Sequence, residues 1–226
     1  MVRWNAREYI THMTALNDEL SRAWNNEERV KALKMAIENA RMLSTTSVPQ
    51  FYPSLFVLVT EILDTFGRLV FERIKQKGLT PQGKLKTRVQ DFGPRDVTEE
   101  ARETCKNWFY KVASIRELVP RLYMEMAIIR CNQFLYGYAE FDDALQRLAM
   151  MTRGIGDPLV GIYARSYLVR KCHDIDPSLQ APVRQCFVDS VALLRHANGD
   201  YWRAAITSQV CVCVCLSVCL SVCLSV

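Results

Sequence analysis

The feature that most constrains the fold is a broad apolar stripe between residues 55 and 70. Its members recur three and four positions apart: Leu55, Leu58, Val59, Ile62, Leu63, Phe66, Leu69 and Val70. This spacing places them on one side of an α-helix, and that side must pack against other helices to leave water. Two further stripes with helical spacing run from Trp4 to Trp24 and from Val30 to Ala40. The pattern predicts an all-α body.

Residues that favour helix ends divide this body into elements. Thr98 stands before an acidic first turn, and Asp157–Pro158 and Asp176–Pro177 each place an Asp cap before a Pro at the first helical position. Ser114–Glu117 fits a capping box, but Pro120 follows within the next turn. The sequence therefore leaves open whether a helix kinks at Pro120 or restarts there.

The spacing of the helix starts indicates the architecture. Starts near Glu99, Glu140 and Pro177 recur at about forty residues, the length of a HEAT-like helical pair. Outside the tail, no segment shows the alternation typical of strands. We predict about eight helices in an α-solenoid of HEAT-like pairs rather than a closed bundle. Residues 1–52 form an N-terminal helical pair, 53–203 start the solenoid with an exposed loop at about 79–97, and 204–226 form an uncharged tail.

The tail ends in a strict repeat, VCVCVCLSVCLSVCLSV at residues 210–226. Repeated CTGT in DNA translates as Leu-Ser-Val-Cys, and repeated GT translates as Val-Cys. We therefore interpret residues 210–226 as translated simple-repeat DNA and as non-native to the fold. Two alternatives stay open. Residues 204–226 carry no charge and could form a membrane anchor, whereas the cysteine spacing is a weak match to metal or redox sites.

Charge and cysteine usage exclude other classes of protein. A net charge of +5 arises from 29 basic and 24 acidic residues of interspersed sign, which indicates a solvated surface and no nucleic-acid interface. Outside the tail the cysteines are widely spaced among apolar residues, at positions 105, 131, 172 and 186. This usage predicts reduced, packed thiols in a cytoplasmic protein. The first thirteen residues hold no apolar run of signal-peptide length, so secretion is not expected.

Three short motifs carry chemically active residue types, and none predicts an active site. Asp91–Gly93 reads Asp-Phe-Gly but lacks the other kinase motifs. Cys172–Asp174 places three catalytic residue types in a row, yet neighbours in sequence do not face one another on a helix. We expect this motif to end a helix, with His173 near the carboxyl end of the dipole. His12 and His196 have no clustered ligands nearby in sequence. We predict no enzyme, no cofactor and no metal site.

Four longer segments carry a family resemblance. SIRELVPRLYMEMAIIRCNQFL is followed by RGIGDPLVGIYARSYLVR, and FVLVTEILDTFGRLVFERI and ARETCKNWFYKVASIRELVPRLY precede or overlap them. Together they resemble the retromer large-scaffold family, and they look closest to its branch in the retriever complex. The likeness covers about Pro53 to Gly199 and is specific because all four segments match in order.

The resemblance implies a non-enzymatic, endosome-associated α-solenoid that returns membrane cargo from endosomes to the plasma membrane. It implies that an arrestin-like subunit binds near the amino-terminal end, where Pro120, Arg121, Leu122, Tyr123 and Met124 are the candidate partner-binding residues. A phosphoesterase-fold subunit binds further along, in a region that this chain largely lacks. A sorting nexin and a COMM-domain and coiled-coil complex are indirect partners, and membrane association is peripheral.

Two alternatives compete with a scaffold subunit: a tail-anchored helical membrane protein and, less favoured, an enzyme built around Cys172 and His173. Within the scaffold hypothesis, we expect Leu122 to face inward with Met126 and Ile129. Arg121 is expected to project toward a partner, and replacing this partly exposed residue is expected to cost little folding energy. A solenoid cut after its first repeats is expected to expose Leu179, Val183 and Phe187 and therefore to self-associate.

Overall fold

The computed structural model describes residues 6–46, 51–84, 93–136 and 140–196, and within these ranges the chain is all-α, as predicted. The one β-type contact there is an isolated bridge between Leu79 and Val97. The α-helices are α1 (Ala6–Asn25), α2 (Arg29–Met42), α3 (Tyr52–Lys77), α4 (Pro81–Lys84), α5 (Glu99–Ala113), α6 (Leu118–Ile128), α7 (Phe141–Met151), α8 (Pro158–Ile175) and α9 (Gln180–His196). Short 3₁₀ helices cover Pro94–Asp96, Ile129–Phe134 and Thr152–Gly154.

The helices pack mainly on their neighbours along the chain, which is the arrangement of an α-solenoid. Helices α1, α2 and α3 pack together, α5 and α6 pack on α3, and α7, α8 and α9 form the last described layer. Contacts of α6 with α8 join the middle layer to the last one. Helices α5, α7 and α9 begin at residues 99, 141 and 180, about forty residues apart and within three residues of the predicted starts.

Helix α3 carries the apolar stripe predicted from the sequence, and it lies at the centre of the core. Val59, Phe66 and Val70 are fully buried on it. Helix α6 crosses α3 at Gly67, where an added Cβ would lie only 2.0 Å from the carbonyl oxygen of Ala127. A glycine is therefore required at this crossing, because any side chain would push the two helices apart.

Aromatic contacts join helices that are distant in sequence. Trp24 of α1 stacks on Trp108 of α5, with ring centroids 5.6 Å apart. Tyr123 of α6 lies 5.4 Å from Tyr167 of α8 by the same measure. Such pairs add to the free energy of apolar burial, so these two contacts help to hold successive layers in register.

Two of the predicted helix caps are confirmed. The hydroxyl of Thr98 accepts a hydrogen bond from the amide of Ala101 at 3.3 Å, at the start of α5. The Asp157 carboxylate accepts bonds from the amides of Leu159 at 2.9 Å and Val160 at 3.1 Å, at the start of α8. Each cap satisfies amides that have no partner within the helix.

Two other sequence patterns that predicted the start of a helix were wrong. Asp176 ends α8, and its carboxylate accepts from the amide of Ser178 at 2.8 Å within a turn, so α9 begins only at Gln180. Ser114 follows the last residue of α5, whereas Glu117 precedes α6 and makes no side-chain capping bond. The supposed capping box therefore spans the junction between two helices instead of starting one.

The predicted loop at 79–97 lies only partly within the described residues, and the tail lies outside them. At the base of the loop, the Thr80 amide donates to the Asp96 carbonyl at 2.8 Å and the Thr98 amide donates to the Gly78 carbonyl at 3.1 Å. Residues 85–92 of the loop and residues 197–226 lie outside the described ranges. In the described part of the chain, none of the helices has the length and apolar character that a membrane span needs.

Candidate partner-binding groove

Pro120 marks a helix restart and not a kink. Helix α6 begins at Leu118, so Pro120 lies in its first turn, where an amide has no partner within the helix and its absence costs no hydrogen bond. The amide of Arg121 then donates to the Glu117 carbonyl at 3.2 Å. Of the two alternatives that the sequence left open, the structure contains the restart.

The five candidate partner-binding residues differ in their exposure. Pro120, Leu122, Tyr123 and Met124 are buried, and burial raises the pKa of the Tyr123 phenol well above its usual value. The side chain of Arg121 is 36% exposed. Leu122 faces inward with Met126 and Ile129, as predicted. Four of the five residues are therefore packed within the protein. Arg121 alone among them exposes a substantial part of its side chain to solvent.

Arg121 belongs to an ion-pair network that spans α6 and α7. Its Nε donates to Oε1 of Glu125 at 2.9 Å, and a terminal nitrogen of Arg147 donates to Oε2 of the same carboxylate at 2.8 Å. The Glu125 side chain is only 7% exposed. Because a buried carboxylate is costly without cationic partners, Arg121 contributes to folding. The expectation that its loss costs little folding energy is therefore revised.

The structure brings the two most specific sequence segments together around one groove. Helix α6 begins at this groove, α8 begins opposite, and the end of α2 closes one side. Its volume is about 530 Å³, and it is lined by Arg41, Ser44, Glu117, Leu118, Val119, Pro120, Gly154, Ile155, Gly156, Asp157 and Val160. Pro120 comes from the VPRLYM segment, and Gly154 to Val160 come from the RGIGDPLV segment. The lining is mostly apolar, with polar groups at the rim.

The rim is fixed by contacts between distant parts of the chain. Nε of Arg41 donates to Oε2 of Glu117 at 2.6 Å, and this bond raises the pKa of the Arg41 guanidinium. The Thr46 hydroxyl donates to the Asp157 carboxylate at 2.8 Å. These bonds join the end of α2 and Thr46, which follows it, to the residues that directly precede α6 and α8, and they hold the sides of the groove together within the single chain. Sequence reasoning missed Arg41 and Glu117 because they lie 76 positions apart.

Two glycines in the lining differ in the space around them. An added Cβ on Gly154 would approach a methyl carbon of Leu118 to 2.9 Å, whereas an added Cβ on Gly156 would meet nothing within 4 Å. Neither glycine has a positive φ. Gly156 therefore belongs to the groove lining and has open space at its Cβ position, so a larger side chain can be introduced there without a clash at Cβ.

Cys172, His173 and Asp174 do not form a catalytic group. Cys172 is buried, and burial raises the pKa of its thiol, which disfavours the nucleophilic thiolate. His173 and Asp174 are exposed, and the motif ends α8 as predicted. The cysteines at positions 105, 131, 172 and 186 are buried, which confirms the prediction of packed thiols. Asp91 and Phe92 of the Asp-Phe-Gly motif lie outside the described ranges.

Comparison with known proteins extends this picture. A family model described as VPS35L matches residues 1–212 of the 226. The chain belongs to the VPS35L family. The match includes all four segments that carried the resemblance, so the family predicted from the sequence is confirmed. It also includes every residue that lines the groove.

Curated relatives within the VPS35L family share a single description, VPS35 endosomal protein-sorting factor-like. The relative from Danio rerio is 46% identical over 200 residues, which is 88% of this chain and 20% of that protein. The relative from Homo sapiens is 45% identical over 194 residues, 86% of this chain and 20% of its own length. In Dictyostelium discoideum the corresponding values are 45% over 186 residues, 81% and 18%. The chain spans about a fifth of the length of these relatives.

Proposed function

We propose that this chain is part of a non-enzymatic scaffold that sorts membrane cargo at endosomes and supports its return to the plasma membrane. Three observations support this proposal: membership of the VPS35L family, the shared description of the relatives as endosomal protein-sorting factors, and the α-solenoid architecture. Stacked helices offer long edges to partner proteins, and this role needs no catalytic group.

The groove between α6 and α8 is the proposed site for an arrestin-like subunit of the same complex. The observation that carries this assignment is the convergence of the VPRLYM and RGIGDPLV segments on one apolar groove. Apolar grooves with a polar rim are typical of sites for partner segments. The buried Leu122, Tyr123 and Met124 act by fixing α6, whereas Pro120 lines the groove directly.

Filling the groove tests this assignment. Gly156→Trp places an indole in open space within the groove, and Val57→Trp places one on an exposed residue of α3 that does not line it. Both chains should melt like the parent chain. Calorimetric titration with the purified arrestin-like subunit should show a loss of about tenfold or more in affinity for Gly156→Trp alone, equivalent to about 1.4 kcal/mol. If the folded Gly156→Trp chain binds the arrestin-like subunit with the affinity of the parent chain, the subunit does not bind in this groove.

The remaining partners are proposed on the resemblance alone. A phosphoesterase-fold subunit would bind further along a full-length solenoid, and a sorting nexin and a COMM-domain and coiled-coil complex would join indirectly. Association with the endosomal membrane would be peripheral, through these partners. Copurification of each subunit with this chain, with and without the arrestin-like subunit, separates direct from indirect binding.

A further inference from the structure

Helices α7 and α9 share one face on which large apolar residues are exposed. Met150 of α7 is 51% exposed and Val188 of α9 is 55% exposed, and both line a groove of about 290 Å³ between the two helices. Phe187 and Leu194 of α9 are 40% and 47% exposed, with the half-buried Val191 between them. Their spacing places the α9 residues on one side of the helix. A contiguous exposed face of this kind is typical of a contact surface.

The other side of α9 is packed on the protein core. Val183 and Cys186 are buried there, and Leu179, just before α9, is half-buried against the same core. Of the three residues that the sequence predicted to be exposed, Phe187 is exposed, whereas Leu179 and Val183 are not. The prediction was wrong for these two residues because they lie on the side of the chain that packs inward.

Polar groups give the shared face a pattern of charge. Gln146 of α7 lines the groove, and its amide nitrogen donates to the Asp142 carboxylate at 2.5 Å, so this acidic group lies at the edge of the groove. Arg184 of α9 also lines the groove and is exposed, and it forms no ion pair within the described ranges. The groove therefore has an acidic residue on its α7 side and an unpaired basic residue on its α9 side.

The direction of the two helices determines which partner matches this pattern. Short connections reverse the chain between α7 and α8 and again between α8 and α9, so α7 and α9 run in the same direction. A twofold axis along the groove would place α7 of one copy against α9 of the other, with the starts of both helices at the same end. The acidic side of each copy would then face the basic side of the other.

We propose that the face formed by α7 and α9 binds a second copy of this chain in a twofold dimer. Asp142 of each copy pairs with Arg184 of the other copy, so the ion pair occurs twice. Met150 and Val188 meet across the axis and supply the apolar centre of the contact. A second copy offers both the apolar surface and the two opposite charges that this face requires. The dimer also gives a structural form to the self-association expected from the sequence.

Sedimentation equilibrium of the full 226-residue chain, in reducing buffer, tests the dimer. The parent chain should change from monomer to dimer as its concentration rises. Val188→Asp should raise the dissociation constant of the dimer at least about tenfold, because the contact would bury a charge without a partner. Val57→Asp is the matched control, because Val57 is exposed on α3 outside the face, and its dissociation constant should equal that of the parent.

Reversing the charges tests the pairing. Arg184→Asp brings two carboxylates together at each ion pair and should weaken the dimer several-fold. The double variant Asp142→Arg with Arg184→Asp restores opposite charges at both positions, so its dissociation constant should return toward the parent value. Melting temperatures of all variants show whether each chain is folded, and only folded chains enter the comparison.

Three results would overturn the proposal. A parent chain that stays monomeric at every concentration has no such contact. If the chain associates but Val188→Asp dissociates like Val57→Asp, the copies meet through another surface, such as the repeat tail. If the folded double variant binds no more tightly than Arg184→Asp alone, α7 of one copy does not face α9 of the other.

Discussion

At the scale of single residues, Arg121 shows what a linear pattern reveals and what it omits. Its position one step from the buried Leu122 correctly predicts a side chain that is partly exposed. The contact between Arg121 and Glu125 is also predictable, because residues four positions apart are neighbours on a helix. The contact between Arg147 and Glu125 is not predictable from the sequence, because it depends on how α6 and α7 pack. The burial of Glu125 makes Arg121 a structural residue as well as a candidate contact.

Arg121→Trp should destabilise the fold. The substitution removes one of the two guanidinium groups that compensate the buried Glu125 carboxylate. We expect a loss of about 1–3 kcal/mol in the free energy of unfolding, the range for a hydrogen bond to a charged group. Urea denaturation followed by circular dichroism measures the change. Arg116→Trp is the matched control, because Arg116 is exposed and lies in the turn before α6. Equal denaturation midpoints for the two chains would contradict the structural role of Arg121.

At the scale of elements, two Asp-Pro dipeptides with the same sequence signal have different outcomes. Asp157 caps α8, whereas Asp176 closes a turn before α9. The dipeptide alone does not determine this, because Asp176 lies directly after the last residue of α8. The helices were predictable from the spacing of their apolar residues, because each helix buries one apolar face. The start of a helix was predictable only where the capping residue did not directly follow the end of another helix.

Asp157→Ala should therefore cost more stability than Asp176→Ala. The Asp157 carboxylate accepts bonds from two amides of α8 and from the Thr46 hydroxyl. Losing an N-cap of this kind costs about 0.5–2 kcal/mol, whereas Asp176 accepts one bond in an exposed turn. Chemical denaturation of both chains under one condition measures the difference. A loss for Asp176→Ala equal to or larger than that for Asp157→Ala would contradict this assignment of the caps.

The contact between Arg153 and Asp189, which joins α9 to the 3₁₀ helix at Thr152–Gly154, should weaken in acid. Burial acts to raise the pKa of Asp189, but bonds from Arg153 at 2.8 and 3.0 Å outweigh it, and the pKa is lowered from its usual value of 3.8. A carboxyl group with a lowered pKa in the fold stabilises it above its usual pKa. That stability is lost as the pH falls below 3.8 and through the folded-state value.

Melting temperatures at neutral pH and near pH 3 test this linkage. The parent chain should lose more stability between the two conditions than an Asp189→Asn chain, which carries no titratable group at this position. Asp143→Asn, on an exposed residue of α7, serves as the control for the loss of one carboxylate. If Asp189→Asn retains the full acid dependence of the parent, the Arg153 contact does not contribute to it.

At the scale of the whole molecule, the sequence predicts the solenoid better than it predicts the groove. Apolar stripes, caps and a spacing of about forty residues are local and repeat along the chain, so they can be read without coordinates. The groove requires the end of α2, the start of α6 and the start of α8 to meet. Nothing in the sequence around Arg41 points to Glu117, so their pairing is known only from the fold.

Deleting residues 210–226 should leave the fold of the described helices unchanged and improve solubility. An alternating Val-Cys segment without charge or proline is prone to form strands and to aggregate. Thermal melting and the soluble yield of the full and shortened chains measure the effect. A lower melting temperature for a soluble chain that ends at Gln209 would show that the repeat contributes to the fold.

The central claim is that an arrestin-like subunit binds where the VPRLYM and RGIGDPLV segments meet. Hydrogen exchange of this chain, measured by mass spectrometry with and without the purified subunit, tests it most directly. We predict slower exchange in the groove-lining stretches 117–119 and 154–157 on addition of the subunit, and no change at residues 99–113 of α5. Stable binding of the subunit with unchanged exchange in both groove stretches would contradict the claim.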